Sequence, residues 1–195
     1  GMRGGRIIPY KVLVDEALEL AQKPPEHVIL VNRGLVDKLD WNAERDIDYR
    51  EAIQSFNGET VEVEWLESNE PSYILYTSGT TGKPKGVQRD TGGYAVALAA
   101  SIRHIYDAKA GDTIFTTSDI GWVVGHSYIV YAPLIMGMTT LLYEGLPTAP
   151  DPGVWWSLVE KYNVNVMFSS PTAIRVLKKQ DPKYIDKYDL GALKH

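Results

Sequence analysis

The 195-residue sequence contains no cysteine. That absence excludes a disulfide framework, a thiolate zinc site and a cysteine nucleophile. Histidine is scarce as well: four residues lie scattered along the chain without metal-ligand spacing, so no metal ligands are expected. Positive charge is not in excess. Twenty Lys and Arg stand against 25 Asp and Glu, for a formal charge of −5, and the basic residues are spread along the chain. This lacks the footprint of a nucleic-acid binder. No apolar run approaches the roughly 20 residues needed to cross a bilayer, and the start does not read as a signal peptide. Neither a nucleic acid nor a membrane is expected as a partner, and the cytoplasm is the expected compartment.

What is present is an ordinary globular composition, 44% hydrophobic, long enough to bury a sizeable core. Glycine, proline and aspartate punctuate it without internal repeats. Helical spacing of Leu13, Ala17 and Leu20 predicts a helix over 12–20, stopped before Pro24-Pro25, followed by a buried strand over 27–31. A helix around 48–56 is expected to turn Tyr49, Ala52, Ile53 and Phe56 inward. Downstream the pattern sharpens. Strands are predicted over 73–76, 113–116, 139–143 and 164–168, and helices over 94–106, 126–136 and 153–162, with another opening at Ser170-Pro171. Pro133 should kink or shorten the 126–136 helix. Asp151 and Ser170 are candidate N-caps. Strands alternating with helices of ten or more residues imply right-handed crossovers, hence an α/β fold with a mainly parallel sheet flanked by helices. Two α/β subdomains are expected, 1–90 and 91–195.

Directly behind the 73–76 strand stands Tyr76-Thr77-Ser78-Gly79-Thr80-Thr81-Gly82-Lys83-Pro84-Lys85-Gly86-Val87, which concentrates hydroxyls, glycines and two lysines. Glycines let backbone amides approach an anion, hydroxyls add neutral donors, and lysine supplies compact positive charge. The ordinary P-loop spacing is not met, because only two residues separate Gly79 from Gly82 and Pro84 follows Lys83. A P-loop phosphotransferase is thereby disfavoured. Pro84 also opposes helical geometry at Lys83, so the loop should not run straight into a helix.

The twelve-residue string resembles the signature loop of the adenylate-forming superfamily, which includes acyl-CoA synthetases, peptide-synthetase adenylation domains and luciferases. The resemblance implies that Thr77, Ser78, Gly79, Thr80, Thr81, Gly82 and Lys83 hold ATP phosphates, with Lys83 stabilising phosphate charge during catalysis. Read alone, Asp119-Ile120-Gly121-Trp122-Val123-Val124-Gly125-His126-Ser127-Tyr128 is a strand-to-helix turn with a buried Trp. It is also similar to the acyl-pocket segment of short-chain acyl-CoA synthetases of the acetyl- and propionyl-CoA type. Tyr143-Glu144-Gly145-Leu146-Pro147 and Ser170-Pro171-Thr172-Ala173-Ile174-Arg175 resemble further segments of the same branch.

By that match Trp122, Val123 and Val124 line or gate the pocket for the acid's alkyl group and the pantetheine arm. Acetate-specific members usually carry Thr where this chain has Val124. A methyl in place of that hydroxyl favours one more methylene, a difference of roughly 1 to 3 kcal/mol at most, which makes propionate the expected acid. Arg3 and Arg6 resemble an arginine pair that faces the 3′-phosphate of CoA in this branch, a role suited to the planar guanidinium.

The resemblance implies a small carboxylic acid, ATP with Mg2+, and coenzyme A as substrates and ion. It also implies a reaction in two halves, through an acyl-adenylate. The family's adenine- and ribose-binding motifs, metal-binding acidic residue and small C-terminal domain have no counterpart here. The expectation is a fragment, inactive alone and able to self-associate through exposed strand edges. The alternative is a stand-alone phosphate- or nucleotide-binding module without ligase activity.

Overall fold

The computed structural model describes residues 1–3, 5–77 and 82–195, with the side chain of Arg3 left out. The chain divides into two compact units, Gly1–Glu64 and Trp65–His195. The boundary between these two units falls at 64/65.

In the first unit, β1 (Met2–Arg3) and β2 (Arg6–Ile7) form a short antiparallel pair, followed by α1 (Tyr10–Leu20). β3 (Val28–Leu30) pairs in parallel with β4 (Asp46–Asp48), which runs directly into α2 (Tyr49–Gln54). Asp48 caps α2 by accepting from the Arg50 and Glu51 amides. An ion cluster ties the unit together. Buried Asp46 accepts from Arg45 Nε at 2.8 Å and pairs with Lys11 Nζ at 2.9 Å, while Lys11 also reaches Asp15.

Two expectations for this unit are corrected. The β3 strand is not buried, since Ile29 is 62% exposed, and α2 leaves Tyr49, Ile53 and Phe56 substantially in solvent. Apolar periodicity names a face; burying it takes an opposing surface, which this unit of 64 residues does not supply for these side chains.

The second unit opens with a hairpin of β5 (Pro71–Thr77) and β6 (Lys85–Asp90). The Thr91 and Gly92 amides donate to the Glu70 and Ser68 carbonyls, fastening the hairpin to the start of α3 (Gly92–His104). These bonds and the Tyr73 contacts below put the hairpin with the downstream residues, which is why the division falls upstream of it.

A three-stranded parallel sheet follows, ordered β8 (Thr139–Leu141), β7 (Thr113–Thr116), β9 (Val166–Phe168). Successive side chains of a strand point to opposite faces. Ile114 accordingly enters a cluster with Leu98 and Ile102 of α3 and with Ala132 and Val166. Its neighbour Phe115 enters another with Trp155 and Val159 of α6 (Val154–Lys161), its ring edge-on to Trp155 at 5.9 Å. Helices therefore cover both faces of a mainly parallel sheet, the α/β arrangement that the alternation of elements predicts. At the free edge of β9, the Lys194 amide donates to the Asn165 carbonyl and the Met167 amide to that of His195.

The 126–136 stretch is helical but not uniform. α4 (Val123–Gly125) passes into a π-helical segment (His126–Tyr131) and then α5 (Ala132–Ile135), with Pro133 in the first turn of α5. Proline belongs there because its missing amide is not needed in a first turn. Ser170 caps α7 (Pro171–Lys178), its Oγ accepting from the Ala173 amide at 3.2 Å. Asp151 does not cap α6; its carboxylate accepts from the Gly153 amide two residues on, a local turn, and Gly153 occupies the cap position.

Candidate functional site

The glycine-rich loop spans the open end of the β5–β6 hairpin. Thr77 at the end of β5 pairs with Lys85 at the start of β6. Ser78, Gly79, Thr80 and Thr81 lie outside the described residues. Gly82 has φ +81°, a left-handed conformation that a side chain would strain, and its position opens onto space with no heavy atom within 4 Å of a would-be Cβ. Lys83 and Lys85 are both exposed. After Pro84 the chain enters a strand and not a helix, in keeping with the restriction that proline places on Lys83.

The second candidate segment sits where the chain leaves β7. Asp119 Oδ1 accepts from the Gly121 amide at 2.8 Å, and the Trp122 amide donates to the Asp119 carbonyl at 3.1 Å, forming a tight turn ahead of α4. Gly125 packs against that turn. A Cβ there would strike the Asp119 carbonyl oxygen and lie 2.5 Å from Ile120 Cα, so only glycine fits. Val123 and Val124 are half-buried, whereas Trp122 is 67% exposed. The expectation of a buried indole is corrected: the turn holds Trp122 at the N-terminal end of α4, ahead of the helical face that packs inward.

Between the two segments lies a cluster that sequence reasoning missed. Tyr73 of β5 donates to the Tyr94 hydroxyl at 3.0 Å, and the Tyr94 hydroxyl lies 2.6 Å from Ser127 Oγ. Tyr131 stacks on Tyr73 at 5.9 Å and His126 approaches it edge-on at 5.6 Å. Burial and the bond to Tyr94 push the Tyr73 phenol up to about 12. His126, half-buried, therefore packs against Tyr73, and Arg89, the cross-strand partner of Tyr73, lies 5.8 Å from the Tyr94 ring centroid. The available signal was the even spacing of Tyr73 and Leu75, which puts both on the inner face of β5. Nothing in the local sequence joins residue 73 to residues 94 and 127.

Arg3 and Arg6 belong to the other unit, where they are paired residues of β1 and β2, and Arg6 is exposed. Among the described residues, no group of three or more His, Cys, Asp or Glu could hold a metal ion, and no helix is long and apolar enough to cross a membrane.

Comparison with known proteins places this arrangement. Residues 8–195 match the family described as AMP-binding enzyme. The chain belongs to this family. It is 63% identical over 193 residues to the propionate–CoA ligases of Salmonella typhimurium and Escherichia coli, covering 99% of this chain and 31% of each relative. An acetyl-coenzyme A synthetase of Pasteurella multocida is 43% identical over 194 residues, covering all of this chain and 29% of the relative. The chain thus spans under a third of the length of the curated relatives it matches.

Proposed function

We propose that this chain is the portion of an AMP-forming short-chain acyl-CoA ligase that grips the ATP phosphates and the acyl group, with propionate as the preferred acid. The observation that carries the reading is the 63% identity to propionate–CoA ligases over 193 residues, a stretch that covers 99% of this chain.

In the first half-reaction, a carboxylate oxygen attacks the α-phosphorus of MgATP. An O–P bond forms, the bond to the β-phosphate oxygen breaks, and pyrophosphate leaves an acyl-adenylate. In the second, the CoA thiol loses its proton to solvent, its sulfur bonds to the acyl carbon, and the bond from that carbon to the phosphate oxygen breaks to release AMP. Magnesium bound to the nucleotide would offset phosphate charge. The part assigned to this chain is positioning and electrostatic stabilisation. Thr77, Ser78, Gly79, Thr80, Thr81 and Gly82 supply hydroxyl and amide donors, and Lys83 supplies positive charge to the departing phosphates. Exposure of Lys83 and the left-handed turn at Gly82 support that assignment. The exposed indole of Trp122 and half-buried Val123 and Val124 suit a pocket for a short alkyl group and the pantetheine arm. Arg3 and Arg6 are assigned to a CoA phosphate.

Residues 1–90 and 91–195 are then parts of two subdomains of the ligase's large domain, which works in the cytoplasm on small molecules without nucleic acid or membrane. The 195-residue chain alone is expected to be inactive and able to self-associate.

The test is acid-dependent ATP–pyrophosphate exchange and acyl-CoA formation by the full-length protein that carries this segment. A higher kcat/KM for propionate than for acetate is the expected result. A preference for acetate would overturn the substrate assignment, and absence of exchange with any short acid would overturn the ligase reading.

A further inference from the structure

The strand that leads into the glycine-rich loop and the helical turn that follows Trp122–Val124 are joined through one side chain, Tyr94. Its hydroxyl accepts from Tyr73 of β5 at 3.0 Å and lies 2.6 Å from Ser127 Oγ of the π-helical segment. Ser127 is 6% exposed, so the Ser127 end of this link is buried, with Tyr73 and Tyr94 half-buried. We propose that Tyr94 is a positioning residue for adenylate formation, its hydroxyl setting the acyl-binding segment against the strand that carries the phosphate-binding loop. The proposal rests on the ligase reading above.

Three features of the geometry carry it. First, the segment from His126 to Tyr131 is π-helical. A π-turn brings residues five apart onto one face, where an α-helix would bring residues three or four apart. His126 and Tyr131 stand five apart and both pack on the Tyr73 ring. The wider turn is thus what presents this segment to β5, and it begins directly after Val123–Gly125.

Second, ring contacts alone leave the register loose, because edge-on and stacked aromatic arrangements tolerate displacement over a broad range of centroid separations. Hydrogen bonds are narrower in distance and angle. The Tyr94 hydroxyl takes part in both bonds, so one chain of hydroxyls runs from strand to turn.

Third, Tyr73 stands four residues before Thr77 on the same strand, and Ser127 three residues after Val124. The two ends of the relay therefore lie about one turn or two strand pairs from residues assigned to the two reacting substrates. Attack of a carboxylate on phosphorus is sensitive to misplacement of about 1 Å, which costs on the order of a hundredfold in rate. Tyr94 touches neither reacting group; it acts through the two segments.

The experiment uses the full-length protein and measures the single-turnover rate constant of propionyl-adenylate formation from MgATP and propionate. Tyr94→Phe is expected to slow this step about tenfold, with KM for ATP and for propionate each within about twofold of wild type. Ser127→Ala should do the same, and the double variant should be no slower than either single one, since a relay is broken only once. A purely structural loss would lower the amplitude of the single turnover, not its rate constant. Thr140→Val serves as the comparison. It removes a 2.8 Å bond from Thr140 Oγ1 to the Ile129 carbonyl of the same turn without touching β5, and it should keep the wild-type rate constant. Should Tyr94→Phe not fold, Ser127→Ala decides alone. A wild-type rate in the relay variants, or an equal slowing in Thr140→Val, would overturn the proposal while leaving the ligase reading intact. A wild-type protein that forms no adenylate would overturn both.

Discussion

Thr77 and Lys85 face each other across the antiparallel β5–β6 pair, so the glycine-rich loop leaves and re-enters the fold at paired positions.

Gly82 is the described residue on which the turn of that loop depends. At φ +81° an L side chain costs roughly 1 to 2 kcal/mol even with open space around it. Gly82→Ala in the full-length protein is therefore expected to leave folding intact and raise KM for ATP about fivefold or more. A KM within twofold of wild type would show that the turn does not shape the phosphate site.

Gly125 presents the opposite case, with ordinary backbone angles and no space. Its missing side chain is replaced by the Asp119 carbonyl and Ile120 Cα, backbone atoms that no rotamer change can move. Gly125→Ala should destabilise the second unit by ~3 kcal/mol or more, read as a large fall in melting temperature or in soluble yield. Gly121→Ala, whose Cβ would meet only the Asp119 carboxylate at 3.2 Å, should cost far less.

Val124→Thr restores a hydroxyl at the position assigned to the acid's alkyl group. The propionate-to-acetate ratio of kcat/KM should fall by about tenfold or more, within the 1 to 3 kcal/mol that a single methylene commands. An unchanged ratio would remove Val124 from the acyl pocket.

The first unit should be acid-sensitive. Arg45, joined by burial-opposed bonds from the Asn42 amide and Lys11, holds the Asp46 carboxyl well below the usual carboxylate range. A depressed carboxylate contributes stability that is present above its unfolded value near 3.8 and is lost as pH falls from there toward the folded value. Hydrogen-exchange protection over Gly1–Glu64, taken relative to the intrinsic exchange rate at each pH, should fall below about pH 4. Asp46→Asn should flatten that acid limb and lower stability at neutral pH, where Lys11 and Arg45 would lose one of the two carboxylates they share and keep Asp15.

How much was legible can be judged element by element. Thr113–Thr116 is both the predicted and the observed strand, because a short apolar run between Gly111-Asp112 and a polar stretch leaves little choice. Ser170-Pro171 opened a helix as predicted, because the cap is a bond between residues three apart. β6 was missed since Lys85–Asp90 carries only one strongly apolar residue, Val87, and its extended state comes from pairing with β5. The π-turn was missed for a similar reason: His126-Ser127-Tyr128-Ile129-Val130-Tyr131 has an ordinary helical pattern, and the wider turn goes with contacts to Tyr73 and Tyr94.

The sequence by itself determined the chemistry of the loop and the alternation of strands and helices, because both are written in neighbouring residues: glycines, hydroxyls and lysines at fixed spacing, and apolar periods bounded by turn residues. Only the tertiary structure decided which side chains are buried, where the chain divides, and that Tyr73, Tyr94 and Ser127 share one chain of hydroxyls. Those properties depend on surfaces brought together from positions 21 and 33 residues apart, and separation along the chain carries no record of them.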